Sequence, residues 1–110
     1  RTGDVDGAMQ ALDVAISADP EGAADAYYYR GLIRAELGET GRALEDFAQA
    51  IAINPHRAEY YASRGTTYLA TGRPASAVDD FTQSIEIAPD YAPTYVNRGQ
   101  AYARLEIFDL

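Results

Sequence analysis

The chain has 110 residues, 47% hydrophobic and 24% charged, which is the composition of one ordinary folded domain and of neither a disordered nor a fibrous protein. Its formal charge is −8 and all nine basic residues are arginine, so binding a nucleic acid or an anionic membrane would need a local basic stripe, which the sequence lacks. The absence of cysteine removes disulfides, thiolate metal sites and cysteine nucleophiles, and leaves the compartment open.

The first predicted element runs from about Asp4 to Ala18, a helix with Ala8, Leu12 and Ile16 on one side and Pro20 as its stop. A second helix begins near Ala24 and carries Tyr27, Gly31 and Arg34, before Gly38 and Gly41 bracket a turn. From Arg42 to Ile53, apolar residues fall at Ala43, Leu44, Phe47, Ala50 and Ile51, a helical i, i+3, i+4, i+7, i+8 stripe that Pro55 ends. The pair then recurs near Ala58 to Pro89, with Gly72 and Pro74 at its turn, and a last helix starts at about Ala92.

The recurrence is regular. Tyr27-Tyr28-Tyr29-Arg30-Gly31, Tyr61-Ala62-Ser63-Arg64-Gly65 and Tyr95-Val96-Asn97-Arg98-Gly99 are each separated by 34 residues. Ala43-Leu44-Glu45-Asp46-Phe47 returns in phase as Ala77-Val78-Asp79-Asp80-Phe81, with Ala8 and Leu12 as a weaker copy. From Pro20 to Gly31 is 11 residues where the later copies have 10, so one residue is inserted in the first turn. Six helices follow, enough for neighbours to stack and cover stripes that a single hairpin leaves bare.

These residues resemble the tetratricopeptide repeat family, whose signature is an aromatic, Leu-Gly, a tyrosine, then Ala-x-x-x-Phe and a proline. The aromatic slot holds Tyr27, Tyr61 and Tyr95, the glycine slot Gly31, Gly65 and Gly99, and the tyrosine slot Tyr68 and Tyr102. The small-large pairs are Ala43 with Phe47 and Ala77 with Phe81. The match covers nearly the whole chain and divides it into 1–22, the second helix of a partial repeat; 24–57 and 58–91, two full repeats; and 92–110, the first helix of a truncated one. Glycine in mid-helix costs about 1 kcal/mol against alanine, so close approach of a neighbouring helix is expected at each of the three.

The chain departs from the pattern at the leucine slot, which is arginine at Arg30, Arg64 and Arg98, and at Arg34, where tyrosine is usual. The arginines form either a basic ladder or, as preferred here, partners for the acids that recur in step with them, Asp46 and Asp80.

Little else points to chemistry. His56 sits in the turn Asn54-Pro55-His56-Arg57 without a second ligand at helical spacing, and Glu45-Asp46 and Asp79-Asp80 diverge by about 100° around a helix. Asp4-Val5-Asp6-Gly7 lacks the remaining ligands of a calcium loop. Neither a phosphate loop nor a serine elbow is present, so no catalytic residue, metal or cofactor is expected and the chain is read as a non-enzyme. No stretch approaches the roughly 18 apolar residues of a spanning helix, and the segment is expected to be soluble. It opens on Arg1 and stops at Ile107-Phe108-Asp109-Leu110 without a helix stop signal, so it reads as a piece of something longer.

The resemblance implies an all-α fold, a right-handed superhelix or α-solenoid of stacked antiparallel helix pairs, whose first helices line a concave, partner-binding groove. If Tyr27, Gly31 and Arg34 face neighbouring helices, the groove stripe is Tyr28, Tyr29, Leu32, Ala35 and Glu36, then Ala62, Ser63, Thr66, Leu69 and Ala70, then Val96, Asn97, Gln100, Ala103 and Arg104. Tyr28, Tyr29 and Leu32 would anchor a protein or peptide ligand whose backbone Asn97 and Gln100 would bond. A clamp for a terminal carboxylate is disfavoured, because lysine is absent and Glu36 lies on the stripe. Two alternatives stay open: a homo-oligomer formed through terminal helices that expose Met9, Leu12 and Ile16 at one end and Leu105, Ile107 and Phe108 at the other, or the substrate-docking arm of a larger enzyme.

Overall fold

The computed structural model describes residues 3–109; Arg1, Thr2 and Leu110 of the expected end segments and the side chains of Phe108 and Asp109 lie outside the described residues. Among the described residues there are six α-helices and no strand: α1 Gly3–Ala18, α2 Ala24–Glu36, α3 Thr40–Ile53, α4 Ala58–Ala70, α5 Pro74–Ile87 and α6 Ala92–Asp109. The all-α class and the helix count follow the sequence. None of the described helices is long and apolar enough to cross a membrane.

The helix ends have local causes. α2 and α4 terminate on Gly38 and Gly72, whose φ values of +77° and +76° lie in the left-handed region that favours glycine. Around them, Glu39 N donates to Arg34 O at 2.8 Å and Gly38 N to Ala35 O at 3.1 Å, while Arg73 N donates to Tyr68 O at 2.9 Å and Gly72 N to Leu69 O at 3.2 Å. Both ends are Schellman motifs, which satisfy carbonyls the helix leaves open. Pro74 opens α5 in its first turn, where its missing N–H costs nothing. The extra residue after α1 is taken up in a short 3-10 helix, Pro20–Gly22, braced by the Asp19 carboxylate accepting from Gly22 N at 3.2 Å.

The described residues form two compact units, one ending at Pro55 and the other beginning at His56. In the first, α2 packs antiparallel on α3 and α1 lies against α2; in the second, α4 packs on α5 and α6 covers α5 and part of α4. Ala43, Phe47 and Ala50 of α3 are fully buried, as are Ala77 and Phe81 of α5. The glycine slots explain how such large rings fit. A Cβ placed on Gly31 would lie 2.8 Å from Phe47 Cε1, and one on Gly65 would lie 2.7 Å from Phe81 Cε1. The missing side chains let each phenylalanine ring sit directly on the facing backbone. Gly99 differs from the expectation: nothing lies within 4 Å of its Cβ position, because none of the described helices follows α6 to press on it.

Candidate partner-binding surfaces

Charge is organised inside the hairpins. Arg30 grips Asp46 with two parallel bonds, Nε to Oδ2 at 3.0 Å and Nη2 to Oδ1 at 2.8 Å, and Arg64 grips Asp80 in the same way at 2.8 and 2.9 Å. These bidentate forks join the first helix of each hairpin to its second and settle two of the periodic arginines as partners of buried acids. Asp46 also accepts from Arg34 Nη1 at 2.9 Å, so one carboxylate, its side chain 3% exposed, serves two guanidinium groups. Arg34 Nε is buried without a hydrogen-bond partner. Arg30 further reaches Asp13 on α1 at 2.9 Å. Among the described residues Arg98 makes a 3.4 Å contact to Thr82 Oγ1 and lies over the rings of Tyr95 and Tyr102.

The hydrogen bond from Asp46 holds the Arg30 guanidinium above the ordinary arginine range, against the lowering effect of burial, and the bond from Asp80 does the same for Arg64. A cation with a raised folded pKa contributes stability that is full below its unfolded pKa and is lost only as pH rises through the folded one. Both arginines therefore stay charged, and their own titration adds no pH dependence near neutrality.

The outer stripe of unit 1 is aromatic. Tyr29 is 54% exposed and its ring meets that of Tyr28 at 5.4 Å and 59°, while Tyr28 also leans on Phe47 at 6.0 Å. Tyr28 is thus half core and half surface. Leu32 is half-buried and Glu36 exposed. In unit 2 the stripe is mixed: Ser63 and Asn97 are half-buried, Thr66 and Gln100 are exposed, and Val96 is exposed beside them. Thr66 Oγ1 donates to Ala62 O at 3.0 Å, and Arg104 Nη1 donates to Leu69 O at 2.8 Å, tying α6 to the end of α4. Leu69, placed on the stripe by helical spacing, is instead 7% exposed in a cluster with Ala77, Phe81 and Ala101. α6 closes over that turn of α4.

Residues 24–57 and residues 58–91 each match a profile described as a tetratricopeptide repeat. The chain belongs to the tetratricopeptide repeat family. Sequence comparison with curated proteins gives no match. Among solved structures, the tetratricopeptide repeat chain is similar to an O-GlcNAc transferase mutant of Thermobaculum terrenum, at 25% identity and TM-score 0.82 over 90% of this chain and 19% of that one. It is also similar to a thermophilic repeat protein of Thermus thermophilus, at 28% identity and TM-score 0.80 over 92% of this chain and 51% of that one. A third similarity is to the second repeat domain of Spaghetti (RPAP3) bound to an HSP90 peptide, at 26% identity and TM-score 0.76 over 84% of this chain and 86% of that one. The chain thus spans about a fifth of the transferase and about half of the thermophilic protein.

As a tetratricopeptide repeat chain it is a protein-interaction scaffold. Repeat spacing located the arginine partners but missed several buried residues of the first helices, among them Tyr60 and Thr94. With Ala26 these two occupy one repeat position, and three dissimilar residue types there leave no sequence signal.

Proposed function

We propose that the chain binds a peptide or an extended protein segment on the outer stripes of its first helices, Tyr28, Tyr29 and Leu32 being the apolar anchor within the first unit and Ser63, Thr66, Asn97 and Gln100 offering polar contacts within the second. The division into two full repeats flanked by two single helices belongs to this reading. The observation that carries it is Tyr29, a large ring 54% exposed and braced by a second ring. A rigid aromatic with few rotatable bonds loses little entropy on binding, which is why such residues dominate interface energetics. The HSP90 peptide held by the Spaghetti domain is acidic at its end, SRMEEVD. This chain has a net charge of −8, no lysine and Glu36 on the stripe, so a neutral or basic segment suits it better.

Selection of displayed random peptides against the chain, followed by titration of an enriched peptide, tests this. Tyr29→Ala is expected to weaken binding about tenfold or more with an unchanged far-UV circular dichroism spectrum. Full affinity in Tyr29→Ala, or enrichment of peptides defined by an acidic carboxyl terminus, would sink the reading. The similarity to 19% of an O-GlcNAc transferase chain favours a second form of the same idea, in which the stripe docks substrates for a catalytic domain carried elsewhere.

A further inference from the structure

The chain holds arginine in a recurrent way, with a carboxylate at the edge of the guanidinium and a tyrosine ring against its face. Arg30 forks Asp46 and lies over Tyr27 at 5.5 Å from the ring centre, and Arg64 forks Asp80 and lies over Tyr68 at 5.9 Å. Arg57 grips Glu59 through two bonds of 3.1 and 3.3 Å and lies over Tyr60 at 5.8 Å. A planar guanidinium suits both partners at once, since its edge carries N–H donors paired for a carboxylate and its face stacks on an aromatic ring.

One such pair is presented outward, at Asp25 and Tyr29 on α2. At i and i+4 of a helix their Cβ atoms stand about 5 to 6 Å apart, and the tilt of helical side chains toward the N-terminus carries the Tyr29 ring back over the turn of Asp25. Asp25 is exposed, Tyr29 is 54% exposed, and among the described residues no arginine lies over the Tyr29 ring. The line continues through half-buried Leu32 to exposed Glu36, a spacing of i, i+4, i+7 and i+11 that keeps these residues on one face. α2 has α1 packed on it from before and α3 from after, and this is the line that both neighbours leave open. The same line on α4, one repeat on, is open at Glu59, Thr66 and Ala70.

We infer that this line of α2 binds an extended segment of a partner protein through an arginine, its guanidinium forked by Asp25 and stacked on Tyr29, with an apolar residue at Leu32 and a second basic residue at Glu36. Asp25 and Glu36 stand about 16 Å apart along α2 at about 1.5 Å per residue, a span that an extended strand covers in about five residues. The segment therefore carries its two basic residues about five positions apart, with the apolar residue between them. Charge complementarity places the segment on a partner and not on a second copy, because two chains of net charge −8 repel. The inference rests on the outer stripe being the partner-binding surface, and adds a cation to an anchor that apolar contact alone would leave indifferent to charge.

The probes are displayed random dodecapeptides, selected in parallel on the chain, on Asp25→Asn with Glu36→Gln, and on Tyr29→Leu, which keeps apolar bulk and removes the ring face. Each variant is checked for an unchanged far-UV circular dichroism spectrum. Peptides enriched on the chain are expected to carry the spaced basic pair and to be lost on both variants. An enriched peptide is then remade with citrulline, a neutral isostere, in place of its arginine. Fluorescence anisotropy is expected to show binding weakened about tenfold or more by that change, and the affinity of the parent peptide to fall as salt is raised. Citrulline leaves the chain untouched, so this arm is independent of how the variants fold. Enriched peptides that lack the basic pair, keep full affinity with citrulline, or bind Asp25→Asn with Glu36→Gln or Tyr29→Leu undiminished overturn the inference, while loss of those peptides in Tyr29→Ala would leave the stripe itself as the binding surface. Peptides that Tyr29→Ala binds at full affinity, or a selection that enriches none, overturn both.

Discussion

Asp46→Ala is expected to destabilise the chain by about 3 to 5 kcal/mol, the range for breaking a buried ion pair from one side. The carboxylate accepts three hydrogen bonds from two arginines whose side chains are each 17% exposed. Its removal leaves two cations one turn apart on α2 without their shared carboxylate on α3, and Arg34 already has a buried Nε without a partner. Asp80→Ala is expected to cost less, about 1.5 to 3 kcal/mol, because a single arginine is orphaned and Arg64, at 22% exposure, lies nearer to water. Urea denaturation followed by circular dichroism would rank the two, and an equal or reversed order would show that the second arginine adds nothing. Replacing all three charges at once separates the pair from its parts. Arg30→Leu with Arg34→Tyr restores the residues usual in the family, and adding Asp46→Leu is expected to leave stability unchanged or raised by about 1 to 4 kcal/mol.

The contrast between the two hairpins also marks how far the sequence could be read. Arginine and aspartate recur in step, so a one-to-one pairing was legible at Arg30 with Asp46 and at Arg64 with Asp80. The two-to-one cluster was not, because it depends on Arg34 reaching the same carboxylate from the next turn of α2, where the second hairpin has Tyr68 and Arg64 lies over its ring at 5.9 Å. Helix boundaries were legible because glycine and proline act locally, through φ at Gly38 and Gly72 and a missing donor at Pro74. The outer stripe was less so. Helical spacing places Leu69 outward, yet the carbonyl of Leu69 takes the Arg104 guanidinium and Ala101 shares its buried cluster. Packing of a third helix over the first two leaves no trace in the periodicity of any one of them.

The three repeat glycines are identical in sequence and are expected to respond in opposite directions to the same substitution. In Gly65→Ala the new methyl would sit 2.7 and 2.9 Å from the ring of Phe81 and 3.2 Å from Asp80 Cβ. That ring is fully buried and cannot yield without moving the fork that Arg64 makes to its neighbour Asp80. A net loss of about 2 kcal/mol is expected, and Gly31→Ala, with its methyl 2.8 Å from Phe47, should lose a similar amount. Gly99→Ala meets nothing within 4 Å and should gain up to about 1 kcal/mol from helix propensity alone. The spread of about 3 kcal/mol between variants of one repeat position isolates tertiary contact from local preference, since the backbone change is the same in all three. Denaturation midpoints measured on the three single variants decide it. Equal losses at Gly65 and Gly99 would mean that something already covers α6, whereas stabilisation at Gly99 alone would show that mid-helix glycine is tolerated here only because a phenylalanine from the next helix needs its place.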